Sequence, residues 1–154
     1  MENYKEITRK LIDKSFPVLK HKKIFIIKAP LSFFACSLWL PPFIRVIVFS
    51  RRTRHFGKPV ITGLIAHELC HQERYIEMGI FKYIRFAAKF LTSRNARASE
   101  EKATDRLTIE KGYARELYEL SVLTFRERKD KRLNELYLPL SEIKSYSESL
   151  GNWR

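Results

Sequence analysis

The stretch TGLIAHELCHQERYIEMG, residues 62–79, decides how the rest of the chain is interpreted. Its apolar residues recur at three- and four-residue spacings, which is typical of an α-helix with a buried face. Thr62 is a candidate N-cap, and Gly79 is a candidate helix stop. Since residues four apart share one helix face, His67 and His71 would present both imidazoles to a common point.

Two imidazoles one helical turn apart can form half of a zinc site, because zinc takes nitrogen ligands at about 2.0–2.1 Å in a tetrahedral shell. Glu68 is rotated by about 100° from His67 around the helix, which suits contact with a metal-bound water better than with the metal. The His-Glu-x-x-His spacing would arise in about one shuffled chain in a hundred. The alternative is an ordinary pair of surface histidines. The apolar neighbours Leu64, Ile65 and Leu69 count against it, because they indicate that this part of the helix is buried. A buried histidine needs a polar or metal partner.

A third ligand must come from another segment, because hydrolytic zinc sites usually have three protein ligands and a water. No histidine follows His71, so a carboxylate is expected. The segment SEEKATD, residues 99–105, offers Glu101 as a ligand and Asp105, four residues later, to orient an imidazole. Glu100 is the competing ligand, and a solvated charge is the alternative for either glutamate.

HELCH followed about thirty residues later by EKATD resembles the gluzincin metallopeptidases. The pattern is most similar to the M48-type peptidases and to their small soluble relatives, the minigluzincins, in which His-Glu-x-x-His precedes Glu-x-x-x-Asp. Thr104 stands where alanine is usual, and the resemblance covers about residues 23–115. It implies zinc ligands His67, His71 and Glu101, the catalytic base and acid Glu68, and the supporting carboxylate Asp105.

The order of predicted elements indicates an α+β fold. An amphipathic helix at residues 3–15 precedes three extended segments, one around KKIFIIKAP and two joined across Pro41-Pro42. Ile44–Ser50 is predicted as an edge strand that could bind a peptide by β-augmentation. Later helices are predicted around FKYIRFAAKFL, ASEEKATDRLTIEKG (with Ser99 or a residue just before it as candidate cap), YARELYELSVLTFRERKDKRL and SEIKSYSESL. A sheet of about three strands should therefore pack on the active-site helix and the glutamate helix, with further helices flanking them.

Composition and charge narrow the class of partner. The 154 residues are 45 % hydrophobic, which suits a single domain with a real core. Lys and Arg number 30 against 17 Asp and Glu, and the net charge of +13 attracts polyanions or acidic peptides. The sequence predicts a zinc-dependent metalloendopeptidase that acts on a peptide or protein substrate. A DNA-associated HExxH protease or a basic nucleic-acid-binding module is the alternative.

The sequence also predicts the compartment and the division of the chain. Cys36 and Cys70 form no CxxC pair, so reduced thiols and a cytoplasmic location are expected. Charged residues and prolines interrupt the most apolar region, so no transmembrane segment is expected. The peptidase domain is predicted at residues 1–132. The segment at 133–154 either packs as ordinary structure or covers the cleft and keeps the enzyme latent, as a zymogen.

The sequence also offers candidates for a further catalytic role. The oxyanion that develops during peptide hydrolysis needs an additional hydrogen-bond donor. Tyr113 and Tyr118 are candidates for this donor, and helix packing is the favoured interpretation of both. Oligomeric state is left open by the sequence.

Overall fold

The computed structural model describes residues 2–128 and 133–153, and its fold is α+β, as the order of predicted elements indicated. The elements are α1 Glu2–Ser15, β1 Ile24–Ala29, β2 Ala35–Leu40, β3 Ile44–Ser50, α2 Lys58–Thr92, α3 Arg94–Glu110, α4 Ala114–Arg128, α5 Leu133–Leu136 and α6 Leu140–Ser149. Short 3₁₀ turns at Pro17–Leu19 and Arg51–His55 precede β1 and α2.

The three strands form one mixed sheet in the order β1-β3-β2. β3 runs parallel to β1, with Ile26 opposite Ile47, and antiparallel to β2, with Cys36 opposite Val48. The prediction that Ile44–Ser50 is an edge strand is therefore wrong, since β3 is central. Its last four residues are all buried, which is typical of a strand covered on both faces. β2 is the edge strand that lies against α2.

α2 begins earlier than predicted and is interrupted where predicted. Gly57 precedes its first residue, and Pro59 in the first turn has the fixed φ that suits a helix start. Thr62 therefore lies inside the helix, and its prediction as N-cap is wrong. Gly79 adopts φ 70° and ψ 171°, a conformation that glycine accepts readily. The predicted stop at Gly79, followed by a second helical segment, is confirmed.

α3 also begins earlier than predicted. The Ser93 side chain accepts a hydrogen bond from the Ala96 amide at 3.3 Å and so caps the helix. The prediction of Ser99 as cap is wrong, because the alanine-containing turn before it already propagates the helix. Gly112, at φ 88°, lies just beyond the helix end, as predicted.

The first half of α2, residues 58–78, lies between the sheet, α3 and α4. Ile65 and Leu69 are fully buried in this core. At Gly63 the backbones of α2 and α4 come so close that a Cβ would lie 2.3 Å from the Glu116 carbonyl oxygen. α2 is thereby held rigidly over β2, with its polar face toward α3.

The described part of the C-terminal segment packs on the same core. Leu138 and Ile143 are fully buried among its apolar side chains. The predicted division at residue 132 lies outside the described residues. Among the helices that the structure describes, none combines the length and apolar character needed to cross a bilayer.

Candidate metal centre

Two helices bring three metal-ligating side chains together. His67 and His71 lie one turn apart on α2, with ring centroids 4.8 Å apart. Glu101 on α3 places Oε2 3.2 Å from Nε2 of His67 and 3.6 Å from Nε2 of His71. One ligand atom from each residue lies within 4.8 Å of the others, so this group could hold a metal ion.

The Asp105 carboxylate contacts the His67 imidazole at the ring nitrogen that does not face Glu101. Its Oδ1 lies 3.0 Å from Nδ1 of His67, and its Oδ2 accepts a hydrogen bond from the Leu138 amide at 3.0 Å. Because Nδ1 faces this carboxylate, Nε2 is left facing Glu101. The structure thus places Asp105 where a carboxylate would orient a metal-binding imidazole.

The second imidazole has a support that sequence reasoning missed. Nδ1 of His71 lies 3.2 Å from Oγ1 of Thr104, which is fully buried. Thr104 occurs where the related pattern usually has alanine, and its hydroxyl fills a place that a methyl group could not. The available signal was its spacing, since it lies one turn after Glu100 and directly before Asp105.

Glu100, the competing ligand, has a different arrangement. Its two carboxylate oxygens accept hydrogen bonds from the Arg74 guanidinium, both at 2.8 Å. Its Oε1 lies 3.5 Å from Nδ1 of His71, on the side of the ring away from Glu101. Such a bidentate pair satisfies a buried carboxylate. The geometry therefore favours Glu101 over Glu100 as the third ligand.

Glu68 places a carboxylate beside the triad. The residue is only 4 % exposed, and its Oε2 has no hydrogen-bond partner among the described residues. The Glu68 carbonyl accepts a hydrogen bond from Oγ of Ser37 at 2.8 Å, which ties α2 to the edge strand β2. A buried carboxylate oxygen without a partner calls for a ligand. The position of this oxygen suits contact with a water on a metal held by His67, His71 and Glu101.

The charges of the site are strongly coupled. Burial alone would lower the pKa of both histidines, but Asp105 and Glu101 raise that of His67 well above its usual range. Glu101 is also the main group that raises the pKa of His71, to about 9. Burial opposes ionisation of Glu101, yet the two imidazoles lower the pKa of its carboxyl. Raised pKa values favour protonated imidazoles when no metal is bound, and a cation must displace these protons to bind.

The pKa of the Glu68 carboxyl shifts in the opposite direction to that of Glu101. Burial raises the pKa of Glu68, and the nearby His71 and His67 only partly oppose that shift. A raised pKa makes a carboxylate a better proton acceptor, which favours the role of general base.

A cavity of about 250 Å³ opens beside the triad. Its lining is mainly apolar and comes from the segment at 33–38, from both halves of α2 and from α4. Glu68 and the triad residues His67, His71 and Glu101 are among the polar residues of the wall. The arrangement can therefore hold an apolar side chain next to a carboxylate and a cation site.

The predicted oxyanion donors lie elsewhere. The Tyr113 hydroxyl forms a 2.8 Å hydrogen bond with Ser15, and Tyr118 packs against the Trp153 ring with centroids 5.4 Å apart. Neither tyrosine lines the cavity, so the packing interpretation is confirmed for both. Tyr137 does line it, with its ring centroid 6.5 Å from that of His67. Sequence reasoning missed this residue because no local pattern connects the C-terminal segment with the site.

The chain was compared with protein-family models, curated proteins and solved structures, and none of them matches it. The resemblance to gluzincins therefore depends on the two sequence motifs alone.

Proposed function

We propose that this protein is a zinc-dependent peptidase of the gluzincin type. One observation carries the proposal. Nε2 of His67 and Nε2 of His71 both face Oε2 of Glu101, while the unpartnered Oε2 of Glu68 is buried in the wall of the same cavity. Two imidazoles, one carboxylate and a neighbouring base are the donor set of a hydrolytic zinc site.

His67, His71 and Glu101 would hold the zinc ion. When bound, zinc supplies a Lewis acid that polarises a carbonyl and lowers the pKa of water towards ~7. Asp105 and Thr104 keep the two imidazoles in one orientation through their Nδ1 atoms. The ligands are then arranged before the cation arrives, which favours binding.

Glu68 would move the proton. Its Oε2 accepts a proton from the water whose oxygen forms a bond to the scissile carbonyl carbon. As the carbon–nitrogen bond breaks, Glu68 donates the same proton to the leaving amine. The products are a carboxylic acid and an amine, and Glu68 returns to its ionised state.

The substrate would be an extended peptide. Among the described strands, β2 pairs only with β3. Apart from the Trp39 amide, which donates a hydrogen bond to the Tyr83 hydroxyl, its other edge is available for main-chain hydrogen bonds in β-augmentation. Ser37 on β2 is bonded to the backbone of Glu68, which fixes the distance between this edge and the base. The apolar cavity beside them suits a large apolar side chain next to the scissile bond.

Metal analysis tests this proposal most directly. We expect the purified full-length protein to carry about one zinc per chain by elemental mass spectrometry, and to cleave an unfolded protein such as casein. The variants His67→Ala and Glu101→Ala should lose the zinc, whereas Glu77→Ala, an exposed change on the same helix, should keep it. A protein that takes up no zinc, and whose melting temperature zinc does not change, would contradict the proposal.

A nucleic-acid partner is the second candidate, and one surface favours it. Arg51, Arg54, His55 and Lys58 are all exposed around the start of α2. Duplex DNA is expected to bind there with an affinity that falls steeply with salt, in proportion to the phosphates contacted. The change Arg51→Gln with Arg54→Gln should then weaken DNA binding without changing the zinc content. Equal DNA affinity at 50 and 200 mM salt would count against this candidate.

A further inference from the structure

The second half of α2, residues 80–92, exposes a continuous apolar stripe. Phe81 is 89 % exposed, Leu91 77 %, Ile84 56 % and Ile80 39 %. At about 100° per residue, these four side chains project within an arc of about 100°. A helix normally directs such a stripe toward a partner, yet no residue in the described ranges 2–128 and 133–153 covers this one.

Positive charge lies along one side of this stripe. The exposed residues Lys82, Arg85 and Lys89 lie next to it on the same helix, and Arg97 follows at the start of α3. Residues 80–99 contain no Asp or Glu. An apolar stripe flanked by cations is the pattern of a helix that lies in the surface of an anionic membrane.

The opposite side of the segment fixes its orientation. Tyr83 packs against Trp39 of β2, with ring centroids 4.9 Å apart, and its hydroxyl accepts a 3.1 Å hydrogen bond from the Trp39 amide. Phe86 packs against Tyr75, with centroids 5.9 Å apart. Because these rings hold the segment against the core, its stripe must face outward.

The turn between β2 and β3 adds exposed apolar residues next to this helix. Phe43 is 82 % exposed and Leu40 is 56 % exposed. The adjacent Trp39 anchors this turn to Tyr83. Together, the apolar stripe, its flanking cations and this turn form what we call the 80–92 surface.

We infer that the 80–92 surface docks on an anionic phospholipid bilayer. The apolar side chains would enter the boundary between headgroups and acyl chains, and the lysines and arginines would contact the phosphate and carboxylate groups of the lipids. Nucleic acid offers the charge but no place for Phe81, Ile84 and Leu91. An acid-free segment with exposed aliphatic and aromatic groups therefore complements a bilayer best.

This inference goes beyond the proposed peptidase function and does not depend on it. It has one consequence for that function. Phe86, Phe90 and Leu91 on the same helix line the cavity beside the triad, so docking would bring the site close to the bilayer. Substrates at the membrane surface would then have the shortest path to it.

Vesicle sedimentation tests the inference with the full-length protein. We expect co-sedimentation with vesicles of phosphatidylcholine that contain about 30 % phosphatidylserine, and binding at least tenfold weaker to phosphatidylcholine alone. The variant Phe81→Ser with Ile84→Ser should lose binding by at least about tenfold. Both residues are exposed, so circular dichroism should show an unchanged melting temperature; the single change Phe81→Ser serves if the pair does not fold. His67→Ala should bind vesicles like the wild type, which separates this result from the metal site.

A matched charge control separates local docking from general attraction. The change of Lys82, Arg85 and Lys89 to Gln should weaken binding at least about tenfold, whereas the same change at the exposed residues Lys20, Lys22 and Lys23 should matter less than about twofold. Equal losses in the two variants, or no binding of the wild type to anionic vesicles, would overturn the inference. So would a wild-type dimer that Phe81→Ser converts to a monomer without affecting vesicles, or tight DNA binding that depends on the three cations while vesicle binding is absent.

Discussion

The two halves of α2 on either side of Gly79 distribute polar and apolar residues in opposite ways. In residues 58–78 the interior holds His67, Glu68 and His71, all less than 7 % exposed. In residues 80–92, Phe81 and Leu91 stand in solvent at 89 % and 77 % exposure. Buried charge costs stability, and an exposed apolar stripe gains none from burial, so each is better explained by a ligand than by packing. One helix thus carries a group that could hold a metal ion and the surface for which we propose a bilayer.

The glycines mark this division. At Gly63 the absence of a side chain lets α4 approach the first half closely, which closes the core around the triad. At Gly79 the positive φ interrupts the helix and separates its two halves. Each of the following changes acts on the first half or on residues near the triad, and should leave the second half intact.

Glu68→Gln should have the largest effect. It retains the shape of the side chain but cannot accept the proton, so peptide turnover should fall by about 10²- to 10⁴-fold. The zinc content should stay at the wild-type level, because Glu68 is not among the three convergent ligands. Turnover is measured with a quenched fluorescent peptide, and Glu77→Gln, exposed on the same helix, is the matched control. Wild-type turnover in Glu68→Gln would remove this residue from the mechanism.

Gly63→Ala should destabilise the fold by about 3 kcal/mol, because the added Cβ meets the backbone of α4, which cannot yield as a flexible side chain could. The free energy of unfolding is measured by urea denaturation. In Gly57→Ala the new Cβ has only ordinary contact, 3.8 Å from Pro59, so the loss should stay below about 1 kcal/mol. Similar losses in both variants would mean that α2 and α4 are not in close contact.

Thr104→Val should weaken zinc binding by about tenfold. Valine has nearly the same shape as threonine but leaves Nδ1 of His71 without the hydroxyl that lies 3.2 Å from it. Competition with a fluorescent chelator measures the zinc affinity, and Thr104→Ser, which restores a hydroxyl, should recover most of it. If valine and serine behave alike, the hydroxyl does not orient the imidazole.

The alkylation rates of the Cys36 and Cys70 thiols test whether the first half of α2 opens. Burial raises the pKa of Cys70 to about 12 and that of Cys36 to about 11. Only the thiolate reacts, so alkylation of each thiol should accelerate about tenfold per pH unit between pH 7 and 10. At any one pH Cys70 should react about tenfold more slowly than Cys36. Mass spectrometry after iodoacetamide treatment measures both rates, and a faster Cys70 would show that residues 58–78 open readily.

Tyr137→Ala should have the smallest effect, a few-fold rise in peptide turnover. The ring lies beside His67 in the cavity wall, so its removal widens access to the triad. A fall in turnover would instead indicate that the hydroxyl acts as the missing hydrogen-bond donor. Tyr118→Ala, outside the cavity, is the control for a general loss of packing.

The residues of the site could be found from the sequence because helix geometry is local. A spacing of four places His67 and His71 on one face in any α-helix, and the same spacing relates Glu101 to Asp105. That α2 and α3 lie against each other could be expected only because two histidines leave a zinc site without its third ligand. Thr104 and Arg74 were missed, because a threonine and an arginine on a helix have no motif that marks them as supports.

The order of the strands could not be predicted by the same means. The pattern around Ile44–Ser50 indicated a strand, yet both an edge and a central position agree with an apolar run. Pairing of β3 with β1 on one side and β2 on the other depends on how the chain folds back at Pro41-Pro42 and over α2. For the same reason, β3 lacks the free edge that the sequence pattern predicted for it.

Local patterns in the sequence set the elements of the fold, the break at Gly79, the imidazole pair and the acidic pair, because each depends on interactions within a few residues. Contacts in three dimensions placed Glu101 rather than Glu100 next to both Nε2 atoms, placed Tyr137 beside the site, and left Phe81 and Leu91 exposed. These outcomes depend on contacts between segments far apart in the chain. Local patterns are compatible with several such arrangements, and burial and steric fit select among them.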